Sequence, residues 1–276
     1  MSIADKIFIE NCTDIIENGF STENEKNRPK WDDGTYAYTI KKFGVVNRYD
    51  LSKEFPITTL RYTNWKAAID EMLWIWQKKS NKVSELNSHI WDEWMGDDGT
   101  IGKAYGYQLG VKHKYKEGEF DQVDRVLFDL KNNPYSRRIM TNIYTFSDLH
   151  DMNLYPCAYS MTFNVVDGRL NAILNQRSQD TLMANNWNVV QYSVLIHMLA
   201  QVSNLQVGEL VHVISDMHIY NRHIEMVKKL IEREPLPAPI FKINKSVTNF
   251  YDFTVDDFEI LDYNYGESIG KIPVAV

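Results

Sequence analysis

Cysteine is scarce in this chain. Two thiols, Cys12 and Cys157, stand far apart in 276 residues, which excludes a disulfide framework and favours a reducing, cytoplasmic setting. No run approaches the roughly 20 apolar residues of a membrane span, so no membrane partner is expected. The opening Met-Ser-Ile-Ala-Asp-Lys-Ile has neither the basic start nor the apolar core of a secretory signal. Zinc-ligand spacing is missing, and no metal is expected. So is any glycine-rich phosphate loop of the Walker or Rossmann type. Positive charge does not prevail: 30 Lys and Arg face 37 Asp and Glu, a net charge of −7. A nucleic-acid partner is therefore not expected, and any bound anion must be gripped by local arginine forks. Repeats, low-complexity tracts and linkers are absent as well, so residues 1–276 read as one domain.

Aromatic residues, by contrast, are plentiful. Seven Trp, sixteen Tyr and twelve Phe supply surface for a core and for stacking on a ring. Trp65 to Gln77 has helical periodicity. Lys66, Asp70 and Gln77 gather on one polar face, while Glu71 falls among Ala67, Ala68, Met72 and Ile75. A carboxylate on an apolar face is either a buried ion-pair partner or a catalytic group whose pKa is raised by burial.

Met161 to Val166, Asp167-Gly168 and Arg169 to Gln176 read as a hairpin, because Asp-Gly suits a two-residue turn. Alternation places Asn171, Ile173, Asn175 and Arg177 on one face, with Arg177 at the strand end. Val189 to Val202 is apolar nearly all round and reads as a buried helix, with Gln191 and His197 as satisfied core or interface groups. Leu210 to Tyr220 reads as a strand whose His212, Ile214, Asp216, His218 and Tyr220 share a face, and the last His and Tyr suit a grip on one polar ligand. The stretch from Glu234 to Val276 reads as rich in loops.

Cys157 sits in Asn153-Leu-Tyr-Pro-Cys-Ala-Tyr-Ser160, with Gln176-Arg-Ser-Gln-Asp180 twenty residues on and Asn186-Trp-Asn188 soon after. A thiol near an arginine and an asparagine suggests nucleophilic catalysis, with the arginine lowering the thiol pKa from about 8.5. Alone, Cys157 fits the commoner buried and inert thiol. Arg28, Arg137, Arg138 and Arg177 are the candidate phosphate holders, and a surface pair such as Arg137-Arg138 is usually just solvated.

In their joint order and spacing, these pieces resemble the folate-dependent thymidylate synthase family over nearly the whole chain. The carriers are Arg28, Asp-Glu71-Met-Leu-Trp, Ile90-Trp-Asp-Glu-Trp94, Gly-Lys-Ala-Tyr105-Gly, Tyr-Ser-Arg-Arg138, Tyr-Pro-Cys157, Gln-Arg-Ser-Gln-Asp180, Trp-Asn188, Asp-Met-His-Ile-Tyr220 and Pro-Val-Ala-Val276. The resemblance implies an α/β (α+β) single domain with a large mixed, antiparallel-type sheet packed on helices and paired sheet to sheet in a homodimer. It implies conversion of dUMP to dTMP with 5,10-methylenetetrahydrofolate as co-substrate, and no flavin. Cys157 would add to C6 of uracil. Arg177 would activate the thiol and pair with phosphate, together with Arg28, and Arg137 and Arg138 would reach across from the other subunit. Asn188 would read the base edge, and Glu71 and Tyr105 would manage protons through water. Gln176 and Ser178 would line the nucleotide, and His218 and Tyr220 would hold the ribose. Asp180, Ile90, Trp91, Leu154, Ala275 and Val276 would hold the folate.

The chain departs from the family in places. The common Leu-Gly-x-Pro-Phe-Asn reads Met183-Ala-Asn-Asn-Trp-Asn188, the common Gly-Gly-Asp reads Ile214-Ser-Asp216, Ala158 stands where His often follows the nucleophile, and Leu60 stands where Lys often follows Thr-Thr. The rival readings are a dUMP hydroxymethylase on the same scaffold and a non-catalytic RNA-binding regulator. Trp91 and the C-terminal Pro-Val-Ala-Val argue for a dry site and hydride transfer. Cys12 reads as a buried residue of an N-terminal helix.

Overall fold

The structure is a computed structural model that describes residues 1–26 and 28–275. It opens with α1 (Ile3–Asn18), started by Ser2, whose hydroxyl accepts the amide of Asp5. Strands β1 (Phe20–Ser21) and β2 (Thr39–Asp50) follow. Next come α2 (Trp65–Trp76), α3 (Gly106–Gly110), a short ladder of β3 (His113–Tyr115) with β4 (Gly118–Phe120), and α4 (Gln122–Asn132). Strands β5 (Met140–Asn142), β6 (Ala158–Val166), β7 (Arg169–Gln176) and β8 (Gln179–Asp180) lead into α5 (Asn185–Val202). The long β9 (Gln206–Tyr220), α6 (Ile224–Ile231), β10 (Ile240–Ile243) and β11 (Phe258–Leu261) complete the chain.

Seven strands form one mixed sheet in the order β1-β2-β9-β7-β6-β5, with β8 added beside β9. β7 and β8 run parallel to β9, and the other pairs are antiparallel. Helix α5 makes the crossover from the β7–β8 region to β9, as a parallel pairing requires. It packs on both strands, α2 lies against it, and α1 covers β2 and β9. This is the expected α+β single domain with a mixed sheet on helices. Helix α5 is buried nearly all round, and each enclosed Leu or Ile contributes about 1.5–3 kcal/mol. Cys12 is fully enclosed beside Phe8 and Ile15.

Several local readings hold. α2 ends one residue before the expected Gln77, and the hairpin turns at Asp167 and Gly168, both at positive φ. Asp70 is engaged by the backbone and side chain of Asn87, and Gln77 donates to the Phe250 carbonyl. The C-terminal stretch is mostly irregular but carries the β10–β11 ladder.

Two readings need correction. Helix α5 starts at Asn185, four residues before the expected Val189, so Asn186, Trp187 and Asn188 lie in its first turn. On β9, the five alternating residues do not share one face. Phe43 pairs with Asp216 and Val45 with Ile214, but Gly44, at φ +74°, and Ser215 drop out of the ladder. This irregularity reverses the phase of both strands. On one side of it Lys42 reaches Asp14 of α1, and on the other Asn47 reaches Asn11 of the same helix. His212 and Ile214 therefore face the helices, while Asp216, His218 and Tyr220 face away, because Met217 and Ile219 take the helix side. Period-2 reasoning holds only along an unbroken ladder.

Candidate active site

The pairing of Ala158 with Gln176 brings the start of β6 beside the end of β7. Cys157 and Arg177, each one residue beyond that pair, are thereby held side by side. The Arg177 amide donates to the Cys157 carbonyl at 2.9 Å. Its guanidinium donates to the carbonyls of Pro156 at 3.0 Å and Tyr155 at 2.7 Å, and Nη2 stands 3.8 Å from Sγ of Cys157. The Cys157 amide donates to the Tyr105 hydroxyl at 3.1 Å. Tyr105 sits at φ +44°, a rare conformation for a bulky residue. Gly106, next to it, lies so close to Ser80 that a Cβ would meet the carbonyl at 2.3 Å.

Burial pushes the Cys157 thiol pKa up, against the downward pull of Arg177, Tyr105 and Arg28. The net direction is upward, contrary to the expectation drawn from the arginine alone. Desolvation of the anion outweighs the nearby positive charges. Burial likewise raises the Tyr105 hydroxyl.

Glu71 lies buried on α2. The indole of Trp91 donates to its Oε1 at 2.6 Å. The indole of Trp187 and the amide of Gln191, which stands 2.6 Å away, both donate to Oε2. Burial raises the Glu71 pKa, and the three donors only partly offset it. Asn188 Nδ2 donates to Gln191 Oε1 at 3.1 Å, and Asn188 Oδ1 accepts from Gln176 Nε2 at 3.2 Å. Gln176 Nε2 also donates to the Ser178 carbonyl at 3.1 Å, and Gln176 Oε1 lies 2.7 Å from Nε2 of the fully buried His212.

Asp180 accepts the amides of Leu182 at 3.0 Å and Met183 at 3.1 Å, and so caps the turn that enters α5. Burial pushes its pKa up, but His223 and the Met183 amide pull it further down, and it ends below the usual range. His223 Nδ1 stands 3.7 Å from Asp180, an ion-pair distance, and Nε2 donates to the Pro273 carbonyl at 2.8 Å. Burial lowers the His223 pKa less than Asp180 raises it, so the net shift is upward. His218 Nδ1 pairs with Asp216 at 2.9 Å and its ring meets Tyr220 edge-on at 5.1 Å.

The other predicted residues range from buried to exposed. Arg28 is exposed, yet close enough for its charge to favour the anions of Cys157 and Tyr220. Arg137 and Arg138, exposed ahead of β5, make no side-chain hydrogen bond or ion pair among the described residues. Trp91 is buried, Leu154 and Ala275 are half-buried, and Ile90 is exposed. Val276 lies outside the described residues. No cluster of metal-binding side chains occurs among the described residues, and none of their helices is long and apolar enough to cross a membrane.

Sequence reasoning missed Trp187 and Gln191 as partners of Glu71, and His223 as the link to Pro273. Starting α5 at Asn185 would have exposed the first two, since positions 187, 188 and 191 share one helical face at i, i+1 and i+4.

The family model described as thymidylate synthase matches residues 6–276. The thymidylate synthase of Bacillus phage phi3T is 47% identical over 274 residues, which cover 98% of each chain. Thymidylate synthase 1 of Bacillus subtilis strain 168 is 46% identical over 274 residues, again 98% of each. The solved structure of the thermostable thymidylate synthase A from Bacillus subtilis superposes with a TM-score of 0.94 at 45% identity and covers 99% of both chains.

Proposed function

The chain belongs to the thymidylate synthase family and makes dTMP from dUMP by reductive methylation, and we propose that Cys157, Arg177, Asn188, Glu71 and Tyr105 carry that reaction. The co-substrate, 5,10-methylenetetrahydrofolate, supplies both the one-carbon unit and the hydride and leaves as dihydrofolate. The residues suit such a ligand. Trp91 is anchored on Glu71 by its indole, with exposed Ile90 beside it in sequence and half-buried Leu154 near the cysteine. These offer apolar wall to a flat ring, and Asp180 offers a carboxylate to its polar edge.

The observation that carries the reading is the thiol–guanidinium pair at the sheet end, 3.8 Å apart. C5 of uracil is a poor nucleophile. Addition of the Cys157 thiolate to C6 makes C4–C5 an enolate that can attack carbon. Burial raises the thiol pKa, and the positive charges of Arg177 and Arg28 work against that rise and so favour the attacking thiolate. Tyr105, bonded to the amide of the nucleophile, is positioned for the C5 proton through water, and Glu71 for the protons around O4. Ser178 and Gln176 line the nucleotide, and His218 and Tyr220 take the ribose. Ala275 and Val276 would help exclude water, and the His223 contact with Pro273 tethers that segment.

A sheet-to-sheet homodimer completes the reading. The face turned away from the helices leaves Phe43 91% exposed, with Val46 and Ile173 also open. Contiguous apolar surface of this kind marks an interaction site. Arg137 and Arg138, whose side chains have no partner among the described residues, would then grip the phosphate of the neighbouring site. Residues 1–276 act as one catalytic domain within a soluble, cytoplasmic enzyme.

The test is turnover of dUMP with methylenetetrahydrofolate, with mass analysis of the nucleotide and detection of dihydrofolate. Equal dTMP and dihydrofolate, both lost in Cys157→Ser, support the assignment of the nucleophile. Equal rates in Cys157→Ser and the unaltered enzyme would remove it.

A further inference from the structure

Five side chains form an unbroken line from α2 to β9: Glu71, Gln191, Asn188, Gln176 and His212. Their successive contacts are 2.6, 3.1, 3.2 and 2.7 Å. Apart from half-buried Asn188, all are buried, so each polar atom must find its partner within the line or beside it. The chemistry at its ends fixes the direction of every bond.

At one end Glu71 receives two indoles, and an indole nitrogen can only donate. The Gln191 amide meets the same carboxylate and the Ala68 carbonyl, the latter at 3.1 Å. Both are acceptors, so the NH2 group of Gln191 must face them, and its oxygen is committed to Asn188. From the other side, the NH2 group of Gln176 faces the Ser178 carbonyl and the oxygen of Asn188. The Gln176 oxygen then takes the hydrogen on Nε2 of His212. Burial holds this imidazole neutral by lowering its pKa to about 3, and Nδ1 has no partner among the described residues.

Asn188 is thus clamped between an oxygen and an NH2 group. A carboxamide has two lone pairs and two hydrogens, and the clamp uses one of each. One acceptor and one donor remain for a ligand. That pair matches the N3–H and O4 of uracil. Cytosine presents a bare N3 and an amino group, and it needs the amide turned round. The turned amide would oppose oxygen to the Gln191 oxygen and NH2 to the Gln176 NH2.

We propose that Gln191 is a specificity-determining positioning residue, which uses the Glu71 carboxylate and the Ala68 carbonyl to hold the Asn188 amide in the orientation that accepts uracil and refuses cytosine. This rests on Asn188 reading the base. A residue that merely packed α5 against α2 would affect both nucleotides alike.

The experiment measures dUMP and dCMP dissociation constants by calorimetry on the intact protein and three variants. Gln191→Met keeps length and removes the oxygen that holds Asn188. It should lower the dUMP-over-dCMP ratio about tenfold, the loss expected when one buried hydrogen-bond partner is removed. Gln191→Glu keeps an oxygen facing Asn188 and should retain the ratio, even if both affinities fall. A folded Gln191→Met protein with the unaltered ratio overturns the proposal. So does a folded Gln191→Glu protein that loses the ratio, whatever Gln191→Met does. Asn188→Ala separates the premise: if it keeps the ratio, Asn188 does not read the base and the assignment falls with the proposal.

Discussion

The floor and the rim of the proposed site are built on opposite terms. On the floor, Glu71, Gln191, Asn188, Gln176 and His212 are joined in one line whose ends lie in the core. At the rim, Arg28 stands exposed in its own chain, and in the proposed dimer Arg137 and Arg138 would come from the neighbouring chain, where their exposed side chains have no partner among the described residues. The floor is organised before any ligand arrives, and its cost in chain entropy is met by folding. The rim is held by little in its own chain. Selectivity between bases needs rigid groups, whereas capture of a doubly charged phosphate tolerates mobile ones. On the proposed roles, the same molecule separates recognition by geometry from recognition by charge.

The strongest break in this contrast is to divide the rim from the floor between two chains. Arg137→Ala and Cys157→Ala homodimers should each lose about a hundredfold or more in kcat/KM, a fraction of what charged and covalent groups contribute. Mixed dimers should regain activity, because one site keeps both groups. Absence of recovery in verified heterodimers would place the phosphate grip within one chain.

A subtler break lies within the floor. Trp187→Phe removes one donor from Glu71 and leaves the ring in place. Burial already raises the Glu71 pKa, so losing a hydrogen bond to the carboxylate raises it further. The acidic limb of the kcat profile should move up by about one pH unit. An unmoved limb would mean that Trp187 only fills space.

The tail offers a third comparison. The His223 pKa is raised by Asp180 and the Pro273 carbonyl. Its stabilising contribution is therefore fully present below the unfolded value of about 6.5 and is lost as pH rises through the folded value. Hydrogen exchange in residues 268–275 should quicken above that point more than in α5. Equal pH dependence in both segments would remove His223 as the tether.

The smallest effect concerns the core. His197 packs against Phe55 and Phe241, and burial lowers its pKa to about 4. A base with a depressed pKa contributes stability above its unfolded value, and loses it as pH falls from about 6.5 towards the folded value. His197→Phe should flatten the fall in Tm between pH 7 and pH 5 by a few degrees, as expected for about 1 kcal/mol. An unchanged slope would assign that fall to His212 alone.

Local chemistry made much of this legible in advance. Asp167-Gly168 announces its turn, the apolar run from Val189 announces a buried helix, and Glu71 stands out as a charge among Ala, Met and Ile. The start of α5 was harder to see. Ala184, its N-cap, makes no side-chain capping bond, and the preceding turn is capped instead by Asp180. With the start misplaced, Trp187 and Gln191 could not be related to Glu71. The phase reversal in β9 was equally hidden, because it depends on Gly44, more than 160 residues away and found only through pairing. The upward shift of the Cys157 pKa needed the depth of burial, which no local pattern contains.

The dropped pair at Gly44 and Ser215 also bears on how this protein can change over generations. It divides one strand into two stretches with separate obligations. Replacing Leu210, His212 or Ile214 is judged by the helices, while replacing Asp216, His218 or Tyr220 is judged by the opposite face. Variation at the Asp216, His218 and Tyr220 positions can therefore accumulate with little penalty in the core. Gly44 is the hinge of that independence. A Cβ there would meet nothing within 4 Å, so the constraint on this position comes from its φ of +74° alone. The glycine is held by backbone heredity, not by any neighbour that it touches.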